Sequence, residues 1–238
     1  MQEKSKNFDL LVIIPVFNSY KGITGAVESC LKQSYKNFHI CVVDDCSTDE
    51  TYKILKKYEN NEKVTILKNE KNQGCYYSRN RALKTFKDYK WKYFTTHDSD
   101  DNSTTERFKL VIDKFNEDDK NHCITTPYAR IKNKKILYIG RGDGIAFYTR
   151  EVFDSIGYYD ETRFAGDTEY LNRFTEYSKN SNLGKVDSLD LITYYAVQDE
   201  NNLTSKYNHT VRNNYISRKE LEYYKMKMVN NFYRNFND

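Results

Sequence analysis

Phe94-Thr95-Thr96-His97-Asp98-Ser99-Asp100-Asp101-Asn102 is the stretch where an aromatic and β-branched run, begun at Trp91, meets three carboxylates within four positions. The run reads as a buried strand that stops where the acids begin. Carboxylates crowded in this way repel one another and raise one another's pKa unless positive charge sits among them. A hard divalent cation bound through oxygen ligands is one way to supply it. The other reading is a solvated acidic turn ahead of a helix, because Ser103-Thr104-Thr105-Glu106 has the spacing of a capping box. The stretch alone leaves both open.

Upstream the same grammar repeats three times. Leu10 to Val16 is a continuous apolar run with Pro15 near its end, as expected of a strand buried on both faces. It is followed by the loop Phe17-Asn18-Ser19-Tyr20 and by apolar residues at helical spacing from Ile23 to Leu31. Phe38 to Val43 runs into Asp44-Asp45-Cys46-Ser47-Thr48-Asp49-Glu50, where Ser47 and Glu50 again have capping-box spacing before a helix through Tyr52, Leu55 and Tyr58. Val64 to Leu67 is a third strand, Asn72-Gln73-Gly74 a turn, and Tyr76 to Phe86 a helix. Strands alternating with helices predict a mostly parallel sheet covered on both faces, in which ligands collect at the carboxyl ends of the strands. Asn18, Asp44, Asp45, Arg79 and the Asp98 cluster all fall at or beyond strand ends. No Gly-x-Gly-x-x-Gly follows the first strand and no Gly-x4-Gly-Lys-Ser/Thr occurs, which disfavours dinucleotide and P-loop sites.

Downstream the spacing predicts a helix over Glu106 to Phe115 and a strand over His122 to Ala129. A basic turn leads from there into Ile136 to Ile139 as a hairpin, and a last strand runs from Leu189 to Val197. Between them lie the glycine-bearing loop Arg141-Gly142-Asp143-Gly144 and Phe164-Ala165-Gly166-Asp167-Thr168-Glu169. There Asp167 opens a helix whose dipole favours its ionised form. From about Lys206 the composition shifts to Asn, Tyr, Lys and Arg, with Leu221, Tyr224, Met228 and Phe232 at helical spacing. This predicts one domain over residues 1–205 and a helical extension over 206–238. The extension reads as a packed terminal helix or as a basic amphipathic helix that touches a membrane or a partner.

The chain has 238 residues and a formal charge of +4, which is small beside 38 basic and 34 acidic side chains and implies no general affinity for nucleic acid. Five cysteines without CxxC spacing argue against a disulfide framework or a zinc site. Leu10 to Ile14 is too short for a signal core or a membrane span, so the expected compartment is the cytoplasm, with peripheral membrane contact through the extension as a second reading.

Taken together, Val12 to Asn18, Gln33-Ser34-Tyr35, Val42 to Asp49 and Ser78-Arg79-Asn80 are similar, in order, to the nucleotide-binding half of the inverting family-2 glycosyltransferases. Asp98-Ser99-Asp100-Asp101 resembles their DxD motif and Glu106-Arg107-Phe108 the element that follows it. Val152 to Gly157, Asp160-Glu161 and Gly166 to Glu169 with Arg173 resemble their acceptor-side signature. The resemblance implies a GT-A type α/β fold, a single Rossmann-like mostly parallel sheet with helices on both faces plus a C-terminal helical tail. It implies sugar transfer from a nucleotide-diphospho-sugar, UDP-linked by first choice, to a hydroxyl of a glycan or glycoconjugate.

It further implies a donor site of Pro15, Phe17, Asn18, Asp45, Arg79 and Asp98. In it Phe17 is a platform for the base, Asp45 a hydrogen-bond partner of the base, and Arg79 a contact to phosphate or sugar. Asp100 would bind Mn²⁺ or Mg²⁺ with Asp101 assisting, and Asp167 would be the catalytic base. The chain departs from the pattern twice. Gly166 stands where a glutamate often precedes the base, which raises Glu169 as a sharer of that role. No histidine follows the last strand, which leaves Gln198, Asp199 or the distant His209 as a further metal ligand. The alternatives are a catalytically silent nucleotide-sugar-binding or scaffold domain, a nucleotidyltransferase, and a nucleic-acid binder acting through the basic tail.

Overall fold

The computed structural model describes residues 7–133, 135–162, 164–181 and 184–198. The expected helical extension, with its membrane reading, Asp199 and His209 lie outside the described residues.

In chain order the elements are β1 (Leu10–Val16), α1 (Ile23–Leu31), β2 (Phe38–Asp44), α2 (Thr51–Leu55), β3 (Val64–Lys68), α3 (Cys75–Thr85), β4 (Tyr93–Thr96) and β5 (Asn102–Ser103). They continue with α4 (Arg107–Glu117), β6 (Asn121–Thr125), β7 (Pro127–Lys132), β8 (Lys135–Arg141), β9 (Phe147–Thr149), α5 (Arg150–Ile156), α6 (Gly166–Lys179), β10 (Lys185–Ser188) and β11 (Tyr194–Val197). Seven strands form one sheet in the order β10-β6-β9-β4-β1-β2-β3, antiparallel only where β9 joins β4 and β6.

Every residue of β1 is buried, and the two-residue period of a strand decides which core each one enters. Leu11 and Ile13, with Cys41 and Val43 of β2, pack beneath α3, α5 and α6 through Ala82, Leu83, Val152, Phe153, Tyr170 and Phe174. Leu10, Val12, Ile14 and Val16 face the other way, onto Val27 and Cys30 of α1, Leu55 of α2 and Phe108, Val111 and Phe115 of α4. Each such aliphatic side chain contributes about 1.5–3 kcal/mol when fully buried, so the central strands are held from both sides. Pro15 is tolerated because the β1–β4 ladder has already ended at Ile13–Thr96, leaving its missing N–H beyond that edge.

The architecture is the mixed α/β one expected, with a second, four-stranded sheet added in the order β5-β11-β7-β8. The expected strand over His122 to Ala129 divides at Thr126. β6 stays in the main sheet, while β7, which begins at Pro127, crosses into the second. The expected strand over Leu189 to Val197 shortens to β11, which pairs with β7 and β5, while the separate strand β10 just before it pairs with β6. The five cysteines are free thiols. No helix among the described residues is long and apolar enough to cross a membrane.

Candidate active site at the carboxyl edge of the sheet

The register sets Val16 beside Asp44 and Ile13 beside Thr96, so the loops that leave β1, β2 and β4 emerge on one edge. Side chains lace them together. Asn18, held in the left-handed region at φ 49°, accepts the Thr48 N–H at 2.8 Å through Oδ1, while its own N–H donates to Ser47 Oγ at 3.0 Å. The Ser19 hydroxyl donates to the Ser99 carbonyl at 3.2 Å. Gly22 lies so close to the acidic loop that a Cβ there would stand 2.6 Å from the Asp100 Cα. Phe17 is 46% exposed on this edge.

Neither predicted capping box forms. Ser47 serves Asn18, and Glu106 accepts the Ser34 hydroxyl at 2.9 Å. The first turn of α4 is instead satisfied from a distance, with the Phe108 N–H donating to Gln33 Oε1 at 2.9 Å.

Asp45 is buried and braces the entry to α3. Its carboxylate accepts Asn69 Nδ2 at 2.6 Å, the Gln73 N–H at 3.0 Å and the Gly74 N–H at 2.7 Å. A carboxylate has about four acceptor sites, so about one is left for a ligand. Gly74 itself has φ 98° and ψ 164°, a region open essentially to glycine alone.

Arg79, one turn into α3, is 3% exposed. One terminal nitrogen reaches Asp98 Oδ1 at 3.6 Å, while Nε and the other terminal nitrogen are buried with no hydrogen-bond partner among the described residues. The guanidinium lies 4.9 Å from the ring centre of Tyr76 and 5.5 Å from that of Tyr159. Burial works against its charge, yet Cys75, Tyr76, Tyr159 and Asp167 together hold its pKa above the ordinary value. Tyr76 donates its hydroxyl to Asp167 Oδ1 at 2.8 Å, and the Thr168 N–H adds a second donor to the same oxygen at 3.0 Å. Asp167 and Asp98 are near enough to interact electrostatically. The Asp98 carboxyl is raised by the protein packed around it, with Arg79 pulling the other way and Asp167 adding. Because 49% of its side chain is open to solvent, that shift is modest in its consequences.

Residues 11–176 match the sequence profile of Glycosyl transferase family 2. The chain belongs to glycosyl transferase family 2. It is 32% identical over 145 residues to chondroitin synthase of Escherichia coli, a match covering 60% of this chain and 20% of the synthase. It is also 37% identical over 101 residues to the UDP-Glc:alpha-D-GlcNAc-diphosphoundecaprenol beta-1,3-glucosyltransferase WfaP of Escherichia coli, covering 42% of this chain and 39% of WfaP. The crystal structure of Staphylococcus aureus TarS 1–349 in complex with UDP-GlcNAc shares the fold, with a TM-score of 0.69, 24% identity, and coverage of 84% of this chain and 62% of that one. The chain thus spans well under half the length of these two curated relatives.

Within this family-2 framework the acids of the two motifs take different positions. Asp98 and Asp100 share the loop after β4. Asp101 turns inward: it is 4% exposed, and its Oδ1 accepts the Val197 N–H at 2.7 Å, which ties the loop to β11. Burial, then Asp98 and Asp100, hold its carboxyl well above the usual range. Its geometry is that of an anchor, whereas the resemblance had implied a metal-assisting ligand. His97 is buried with Nδ1 on the Asp98 carbonyl and Nε2 on Ser103 Oγ, and burial followed by Arg107 pushes it down to about 3, so it is neutral near pH 7. Glu169 is 6% exposed and paired with Arg173 at 2.8 Å.

Among the described residues no three His, Cys, Asp or Glu side chains gather to hold a metal ion. Asp98 and Asp100 nevertheless provide hard carboxylate oxygens on one loop. A pair of that kind suits Mg²⁺ or Mn²⁺ bound jointly with substrate phosphates.

Three contributors stand in the sequence without a role that spacing could assign. Arg107 is fully buried and ties β5 to the turn before β9 through Ser103 Oγ at 3.1 Å and the Ile145 carbonyl at 2.7 Å, its guanidinium 4.4 Å from the Tyr194 ring centre. Asp143 Oδ2 accepts the Thr168 hydroxyl at 2.9 Å, beside the candidate base. Gly144 lies against Asp167 so closely that a Cβ there would stand 2.5 Å from Oδ2. The pair of glycines bracketing Asp143 was the available signal.

Proposed function

We propose that this chain is an inverting, metal-dependent glycosyltransferase that moves a sugar from a nucleoside-diphosphate donor, UDP-linked by preference, to a hydroxyl of a glycan or glycoconjugate. The observation that carries it is the convergence of Arg79, Asp98 and Asp167 around the first turns of α3. Arg79 offers buried, unpartnered N–H groups in a planar fork, which suits the oxygens of a diphosphate. Phe17 offers an exposed aromatic face for a base. Pro15, Asn18 and the remaining acceptor site of Asp45 shape the donor end.

Asp98 and Asp100 would hold Mn²⁺ or Mg²⁺. Such an ion supplies neutralisation of the charge that builds on the departing diphosphate. On the opposite face of the sugar, Asp167 accepts the proton of the incoming hydroxyl as that oxygen attacks the anomeric carbon and the bond to the diphosphate breaks. One displacement inverts the centre. General-base assistance of this kind contributes on the order of 10²–10⁴-fold. A UDP donor is supported by the donor named for WfaP and by the nucleotide sugar bound to TarS. The proposal includes a cytoplasmic setting, one catalytic domain over residues 1–205, and 206–238 as an appended segment able to touch a membrane surface.

The test is a panel of UDP-, GDP- and dTDP-sugars with Mn²⁺, following nucleotide release and thermal shift. Metal-dependent release is expected for at least one donor, with Asp167→Asn retaining donor binding and losing turnover. Metal-dependent binding without release by the parent enzyme, for any acceptor, would instead identify a silent nucleotide-sugar-binding domain.

A further inference from the structure

Tyr76 is the residue through which the donor side and the acceptor side of this cleft touch. Its ring lies between the Gly166 backbone and a cation. A Cβ built on Gly166, the residue before Asp167, would come within 2.9 Å of that ring, and on another side the Arg79 guanidinium stands 4.9 Å from its centre. Its hydroxyl meets Asp167 Oδ1 at 2.8 Å. Both hydrogen bonds described for the Asp167 carboxylate end on Oδ1, while Oδ2 lies over the bare face of Gly144.

We propose that Tyr76 is a positioning residue that couples donor binding to base orientation. Its hydroxyl fixes Asp167 through Oδ1 so that Oδ2 takes the acceptor proton, and its ring supports Arg79 where the donor is held. This rests on Asp167 being the base, as in the reading above. Burial, then the charge of Asp167, hold the Tyr76 phenol well above its ordinary value, so it remains a donor across the working pH range. A neutral phenol that donates to a carboxylate orients it without surrendering its own proton, because the phenol is the far weaker acid.

The two halves of Tyr76 make separable predictions. Tyr76→Phe keeps the ring and removes the hydroxyl, so kcat for nucleotide release from UDP-glucose or UDP-GlcNAc with Mn²⁺ is expected to fall by about tenfold or more, the scale of one hydrogen bond to a charged group. The donor KM should stay within about twofold of the parent's. Tyr76→Leu removes the ring support as well and should raise the donor KM in addition. Independently of turnover, a protected downfield proton resonance from the Tyr76 hydroxyl is expected in the parent, absent in Tyr76→Phe and displaced in Asp167→Asn. Parent-like kcat in Tyr76→Phe overturns the coupling, and so does a hydroxyl resonance indifferent to Asp167→Asn. Turnover by Asp167→Asn equal to the parent's would instead overturn the underlying assignment of the base, which Tyr76→Phe alone does not address.

Discussion

Gly144→Ala is the sharpest perturbation of the acceptor side, because backbone conformation permits it and space does not. Gly144 is not among the glycines with positive φ, so alanine meets no backbone penalty. Its Cβ would stand 2.5 Å from Asp167 Oδ2, whereas ordinary contact begins at 3.4 Å, so the carboxylate must retreat by about 0.9 Å. The next nearest atoms of Asp167 are already at 3.5 and 3.7 Å, so rotation of the carboxylate is the cheapest escape, and it pulls Oδ1 off the Tyr76 hydroxyl. A misplacement of about 1 Å at a reacting group costs on the order of 10²-fold in rate. The stability change should stay near 1–3 kcal/mol, the range for weakening one hydrogen bond to a charged group. Nucleotide release at saturating donor measures the first quantity and a denaturant melt the second. In an Asp167→Asn background the added alanine should cost almost nothing more in rate, since both changes act on one group. A Gly144→Ala enzyme with parent kcat would refute the placement of Asp167 Oδ2 at the reacting centre.

Three further outcomes are expected. Gly74→Ala forces a Cβ into a conformation essentially reserved for glycine and loosens the brace on Asp45, so it should cost about 1–3 kcal/mol in a urea melt and weaken donor binding. The Asp101 carboxyl is held well above its unfolded value, so the stability it takes part in is fullest below the unfolded pKa and is lost as pH rises through the folded one. Asp101→Asn should therefore melt higher than the parent at pH 7 in EDTA and converge with it near pH 4, the amide oxygen still accepting the Val197 N–H. Asp100→Asn, or chelation of the parent with EDTA, should abolish the metal-dependent part of donor binding by calorimetry while leaving the melting temperature in metal-free buffer within a few degrees.

What was legible in the sequence follows from locality. The period-2 burial of β1 and the abrupt stops at Phe17, Asp44 and His97 are written in consecutive residues, so the parallel sheet and its loaded edge could be read directly. The two capping boxes failed because their acceptors are supplied or claimed by residues far away in the chain. Gln33 reaches Phe108, Ser34 takes Glu106, and Asn18 takes Ser47. The second sheet was hidden for the same reason, since β11 finds β5 and β7 only in three dimensions and a short apolar run does not say which sheet it joins. Asp101 sits in line with Asp98 and Asp100, but the fold points it at the backbone of β11, and spacing along a loop carries no such direction.

That tether has a practical corollary. Val197 is gripped by the acidic loop, and the next residue, Gln198, donates its N–H to the Ile131 carbonyl. The polypeptide therefore exits the described domain at the lip of the cleft, on the side where catalysis is proposed. A fluorophore attached at Gln198 would hang one residue from the grip on Asp101, and its emission should change when Asp98 and Asp100 capture a cation.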